Sequence, residues 1–325
     1  MSLSYSLLIR VSRVRTYGRC HTVRAHPLAS GTVTTAAGAD PWAIPPLFAQ
    51  LVDDTSLLQP RSEAPGVDVV VARYLSARDG RYGGLVGQLV CPVSRLPALV
   101  QELARSVPSR PVDVSLVVDT GLGAVPKALS TVFSRSSLLT PRTVETAAPP
   151  DVDAVWLERV SEFVPEDVVA VVEPRRPAGT EPADISAWLG AVRRVAEHGC
   201  APKLRCGGPR ASDVPSVAEV EEFLHVVVDT GRPFTTLGLR QVVRSEHDDQ
   251  RRHGILNLLV GVARALGGGD VRDALESTDG AGLAQEVTGL SERAVKGVRG
   301  LLSRCGADPE PVPAAPQLAG LGLLA

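Results

Sequence analysis

Residues 167–206 open on Asp167-Val168-Val169-Ala170-Val171-Val172-Glu173 and turn through a Pro- and Arg-rich stretch into the amphipathic run Ile185–His198. They end on Pro202-Lys203-Leu204-Arg205-Cys206. The first run is Val-rich and almost continuously apolar, which suits a strand buried on both faces. The middle run carries a helical period, and Glu181-Pro182-Ala183-Asp184 ahead of it puts Asp184 where a helix cap is expected. Strand, helix and strand within this span make one βαβ unit. Such a unit needs a parallel sheet with helices on its faces.

The rhythm continues in both directions. Strands are expected at Leu85–Cys91, Val112–Asp119 and Thr143–Ala148 before this unit, and at Phe234–Leu239 after it, with starts about 24 to 35 residues apart. Helices are expected between them at Ser94–Ser106, Val125–Phe133, Ala154–Phe163 and Val217–Asp229. Ser216 with Glu219 three residues on forms a capping box for the last of these. Six evenly spaced strand–helix units, with room for one or two more at the two ends, predict a TIM-like (β/α) barrel, incomplete or irregular in part. An open doubly wound sheet is the alternative. It is disfavoured because no G-x-G-x-x-G follows the first strand.

The flanks are less regular. Pro45-Pro46 suits the start of a short helix, Leu47–Val52, followed by Asp53-Asp54-Thr55 and a helix at Val67–Ser76. The last third reads as helical, at Arg251–Leu266, Val271–Glu276 and Glu292–Cys305. Asp308–Pro316 has four prolines in nine residues and reads as an extended linker to an apolar tail, Gln317–Ala325. Residues 1–39 hold five arginines and no acid, a composition shared with transit peptides. The expected organisation is a disordered or non-native tail (1–41), a barrel domain (42–307), and a linker with apolar tail (308–325).

Composition narrows the function classes. The chain has 325 residues, 44% of them hydrophobic, which excludes a fully disordered chain. No uninterrupted apolar run of about 18 residues occurs, so no membrane helix is expected. Net charge is −2, which gives no global attraction for nucleic acid. Five cysteines are too few for a disulfide scaffold, and without an export signal a cytoplasmic location with reduced thiols is expected. Histidine and cysteine spacings match no zinc site, and no P-loop or nucleophile elbow occurs, so neither metal nor cofactor is expected. Only Lys127, Lys203 and Lys296 are lysines; the other 31 of 34 basic residues are arginine. Arginine replaces lysine as a surface charge but not as an amine nucleophile, so each remaining lysine matters.

In a (β/α) barrel the chemistry lies at the C-terminal ends of the strands. That rule selects Asp119, Glu173 and the run Lys203-Leu204-Arg205-Cys206-Gly207-Gly208. Alternation puts Lys203 and Arg205 on one face of a strand. Two cations there are costly unless the face is a polar mouth. Gly207 and Gly208 would let backbone N–H groups approach a ligand. The pattern suits an anion pocket, or a Schiff-base amine at Lys203 with its basicity lowered by Arg205 and burial. His253 and Asn257, four apart on one helix face, are expected to point into the same mouth.

These motifs, in this order, resemble a family of bacterial proteins expected to fold as (β/α) barrels, to which no activity is assigned. Its members read K-x-R-T-G-G, then F-K-A-T-A-G-L-H-H-P, then H-G-F-L-N-L-L. The matching residues are Lys203–Gly208, then Phe234, Gly238 and Leu239, then His253–Leu259, and the similarity runs over about residues 47–325. The chain departs from that pattern at Thr235, where the family has a second lysine, and at Arg240-Gln241, which replace paired histidines. Arg240 is therefore counted among the ligand-binding candidates. Lys203 and Gly207 also have the K-x-x-x-G spacing of the Schiff-base motif of deoxyribose-phosphate aldolases, over five residues. The resulting expectation is a lyase or aldolase-type enzyme on a small anionic carbonyl compound. Lys203 would be its nucleophile, Asp119 or Glu173 its acid/base, and Arg205 its anion clamp. A catalytically degenerate barrel that binds a small anion or a protein partner is the alternative, and a homo-oligomer is compatible with either.

Overall fold

The computed structural model describes residues 43–59, 65–208, 210–245, 252–307 and 314–325. The expected N-terminal tail (1–41), the start of the proline-rich linker and Arg251 lie outside the described residues. Among these residues eight parallel strands close into a barrel in simple sequence order. They are β1 (Val52–Asp54), β2 (Val86–Pro92), β3 (Val112–Val117), β4 (Leu139–Ala147), β5 (Val169–Glu173), β6 (Ala201–Arg205), β7 (Phe234–Leu239) and β8 (Leu302–Ala307). The expected six strands are all present. The two further ones lie at the ends of the chain, where room was left for them.

One helix follows each of the first six strands: α1 (Val67–Arg78), α2 (Leu96–Ser106), α3 (Val125–Phe133), α4 (Ala154–Phe163), α5 (Pro182–Glu197) and α6 (Val217–Thr230). Between β7 and β8 the described residues form four: α7 (Ile255–Gly267), α8 (Val271–Glu276), α9 (Gly280–Thr288) and α10 (Glu292–Leu301). Among the described residues α11 (Ala314–Gly320) follows β8. It starts inside the stretch read as linker, and Leu318, Leu323 and Leu324 of the apolar tail are buried against the core.

Three local expectations are corrected. The predicted helix Leu47–Val52 is a single turn, with Phe48 and Ala49 N–H groups donating to Pro45 C=O, and the chain then extends into β1. β1 escapes a propensity reading because two of its three residues are carboxylates, which strands disfavour. The predicted helix Glu292–Cys305 stops at Leu301, and the remainder is β8, paired to β7 and to β1. Asp184 does not cap α5. The helix starts at Pro182, whose fixed φ suits a first position, and Glu181 becomes the cap residue. The Ser216–Glu219 capping box of α6 forms as expected, with donors satisfied in both directions.

The apolar core lies outside the barrel, between strands and helices. Leu89 and Cys91 of β2 and Val112, Val114 and Leu116 of β3 pack there with Leu96, Leu99 and Leu103 of α2. The alternate residues of the strands must then face inward. In many barrels that interior is filled by branched apolar side chains. Here it is polar: Asp53, Gln88, Ser115, Thr143, Glu145, Lys203 and Thr235 are all buried. Two contacts prove the direction. Thr143 Oγ of β4 donates to Gln88 Oε1 of β2 at 2.9 Å, across β3, and Lys203 of β6 reaches Glu145 of β4, across β5. Neither contact is possible except through the barrel interior.

Candidate functional site

The strand ends open onto a cavity of about 430 Å³, walled by Val118 and Asp119 after β3, Glu145 of β4, Glu173 of β5, and Lys203 and Arg205 of β6. A second cavity of about 370 Å³ lies beside it, between the loops after β5 and β6, and shares Glu173, Lys203 and Arg205. The strand-end rule therefore brings Asp119, Glu173, Lys203 and Arg205 to one mouth, as expected from the sequence.

Lys203 sits deepest. Its ammonium is ion-paired to Glu145, and the two side chains are only 6% and 8% exposed. Ser115 Oγ donates to the other oxygen of Glu145 at 2.7 Å, so the carboxylate is held from both sides. A buried lysine with one carboxylate partner is a costly arrangement relative to an apolar pair of the same size. Thr235, in register beside Lys203, adds a buried hydroxyl without a protein partner.

Below this pair lies Asp53. The Gln88 N–H donates to its Oδ1 at 2.6 Å, and Arg304 of β8 is 4.0 Å away. Burial dominates its electrostatics and lifts its pKa from 3.8 to about 7, against the pull of Arg304 and of the Gln88 N–H. The charge of Glu145 adds to the rise and that of Lys203 opposes it. The barrel interior thus holds two carboxylates and two cations in mutual electrostatic contact.

At the rim Arg205 is held in a fork by Glu173, through Nε at 2.6 Å and Nη2 at 2.9 Å. Asp119 accepts from the Ser94 N–H at 3.0 Å and from the Ser94 hydroxyl, so it ties the loops after β2 and β3 together. Neither Asp119 nor Glu173 touches Lys203. The carboxylate in contact with the amine is Glu145.

The remaining candidates sit elsewhere. Gly207 packs against Gly238, which has φ of +89°; a Cβ on either would collide with the other's backbone, so the pair lets the ends of β6 and β7 close together. Gly208 packs against the Asp213 side chain. Arg240 is exposed just after β7 and lines neither mouth cavity. His253 is wholly buried, with its Nε2 2.8 Å from Pro215 C=O, and burial lowers its pKa to about 4. Asn257 is also buried. Its amide donates to Ala274 and Ser277 C=O and its oxygen accepts from the Arg244 N–H, so it ties the loop before α7 to the end of α8. His253 and Asn257 share a helix start, but that end packs into the outer layer rather than into the mouth.

Glu145 and Asp53 were missed by a strand-end search because they lie inside strands. The argument that selected Lys203, a charge in the middle of a parallel strand, applies equally to Glu145 between Val144 and Thr146. Asp53 and Arg304 had no such signal, because neither segment reads as a strand.

Among the described residues no group of three or more His, Cys, Asp or Glu is placed to hold a metal ion, and no helix is long and apolar enough to cross a membrane. No family model matches the chain, and no curated protein matches it in sequence. Solved structures with a similar course of chain include dihydropteroate synthase from Xanthomonas albilineans in complex with 7,8-dihydropteroate. It is 11% identical, with a TM-score of 0.41, over 85% of this chain and 92% of that one. A protein from Burkholderia cenocepacia described as a lyase/mutase is 16% identical, with a TM-score of 0.28, over 70% of this chain and 85% of that one.

Proposed function

We propose that the chain is a barrel enzyme of lyase or aldolase type that forms a Schiff base between Lys203 and a small anionic carbonyl compound. The observation that carries this reading is the buried Lys203–Glu145 pair at the floor of the mouth cavity. Glu145 takes one proton from the ammonium and leaves a neutral amine, which attacks the carbonyl carbon. The nitrogen of the adduct passes a proton to the former carbonyl oxygen, giving a carbinolamine. The proton held by Glu145 then leaves with the hydroxyl as water. The product is a protonated imine beside an ionised Glu145, with the same charge balance as the starting ion pair. The site therefore keeps its electrostatic match throughout. Asp119 and Glu173, engaged with Ser94 and Arg205, serve in this reading to shape the rim.

Incubation of the full chain with a panel of aldehydes and oxo-acids plus borohydride tests it by intact mass and peptide mapping. An adduct on Lys203, absent from Lys203→Met, is the expected result. Failure of every compound to mark Lys203 would overturn the Schiff-base reading. A second reading, a barrel that binds an anion without catalysis, is favoured by the resting ion pairs of Lys203 and Arg205. It predicts ligand binding that Lys203→Met weakens, with no adduct in the wild type.

A further inference from the structure

The two mouth cavities differ in charge. The first is walled by Arg95, Lys203 and Arg205 and by three carboxylates, Asp119, Glu145 and Glu173, so it is neutral in sum. The second has Arg175, Arg176 and Arg210 in addition to Lys203 and Arg205, and on its wall only Glu173 and Asp213 oppose them. Partners behind the wall must be counted too. Arg176 is held by both oxygens of Glu219 at 2.9 Å, and Lys203 by Glu145. Arg210 is held by Asp213 at 2.9 Å, and Arg205 by Glu173. Arg175, two residues after the end of β5, has no carboxylate partner among the described residues. Five cations thus face four carboxylates, and one positive charge is unmatched.

The held guanidinium groups are also preorganised. Arg205 uses Nε and Nη2 on Glu173, which leaves its Nη1 uncommitted, and it lines the same cavity as Lys203. Arg176 is fixed further by donating to Ser212 C=O at 2.6 Å. A site with rigid donors and one spare positive charge matches a monoanion with two oxygens in a plane, which is a carboxylate.

We propose that the second cavity is a carboxylate subsite, bound by Arg175 and the free edge of Arg205. The substrate class is then an oxo-carboxylic acid, with its acid group between the β5 and β6 loops and its carbonyl carbon against Lys203. The placement of the carbonyl rests on the Schiff-base reading; the carboxylate subsite does not.

Arg175→Gln is the informative variant, because the residue is exposed and unpaired and its loss should leave the fold intact. Borohydride trapping at Lys203 is titrated with a 2-oxo acid and with a neutral ketone of similar size. The wild type should be half-saturated by the oxo acid at a lower concentration than by the ketone. Arg175→Gln should raise the oxo-acid value roughly tenfold and leave the ketone value unchanged. Equal trapping of both compounds, unaltered by Arg175→Gln, overturns the subsite while the Schiff base stands.

If Lys203 traps nothing, the subsite is read directly by calorimetric titration with lactate, a carboxylate that cannot form an imine. Weaker lactate binding by Arg175→Gln than by the wild type supports the subsite. Equal binding, or none to either protein, overturns it. Inorganic phosphate that binds the wild type more tightly than lactate does overturns the choice of carboxylate.

Discussion

Asp53→Asn should change how stability depends on pH, and the direction follows from the barrel interior. The Asp53 carboxyl is buried, with the Gln88 N–H on one oxygen and Arg304 4.0 Å away. Its native pKa of about 7 lies above its unfolded value of 3.8. Between those values the native chain holds a proton that the unfolded chain has lost, so stability falls as pH rises. Below 3.8 both states are protonated and the penalty is absent; above about 7 it is complete. A difference of about three pKa units at 1.36 kcal/mol each makes the penalty about 4 kcal/mol.

Asparagine keeps the acceptor for Gln88 and does not titrate. Urea unfolding of wild type and Asp53→Asn at a series of pH values from 4 to 8 isolates the contribution, since most other titrations are common to both proteins. The stability of Asp53→Asn relative to wild type should rise by about 4 kcal/mol across that window. A difference that stays constant with pH would refute the reasoning. It would mean that Arg304 and the Gln88 N–H outweigh burial and keep the carboxylate ionised in the folded chain.

Three further outcomes are expected in the same assay. Lys203→Met should cost about 3–5 kcal/mol by leaving Glu145 buried without its cation, and the Lys203→Met/Glu145→Gln double variant should recover much of it; additive losses would show that the two do not act as a pair. Gly238→Ala should cost at least about 1–3 kcal/mol, because φ of +89° strains any side chain and the Cβ meets Gly207 backbone; an unchanged midpoint would refute the close approach. Ser216→Ala should cost about 1 kcal/mol through loss of the α6 cap, while Asp184→Ala stays within about 0.5 kcal/mol; the reverse order would contradict the observed helix starts.

The chain order of short Val-rich runs and amphipathic stretches was enough to determine a parallel sheet built from β/α units. Each run is buried on its outer face by the helix that follows it, and that pairing is local in sequence. Lys203, Arg205, Glu173 and Asp119 were legible for the same reason, since a strand end is a local feature. Barrel closure was not legible. β1 is three residues long and β8 continues directly from α10, so neither has a strand's composition; each is a strand because its two neighbours supply hydrogen bonds. The partner of Lys203 belongs to the same class. Glu145 is 58 residues away along the chain and meets the amine only because β4 and β6 face each other across a closed interior. His253 and Asn257 illustrate the converse. Their four-residue spacing suggested one helix face, but α7 begins only at Ile255, so His253 lies ahead of it against Pro215, while Asn257 meets the end of α8. Local period and turn chemistry specify elements and their ends. Which charges become buried partners depends on curvature, register and closure, and these exist only once the whole barrel has formed.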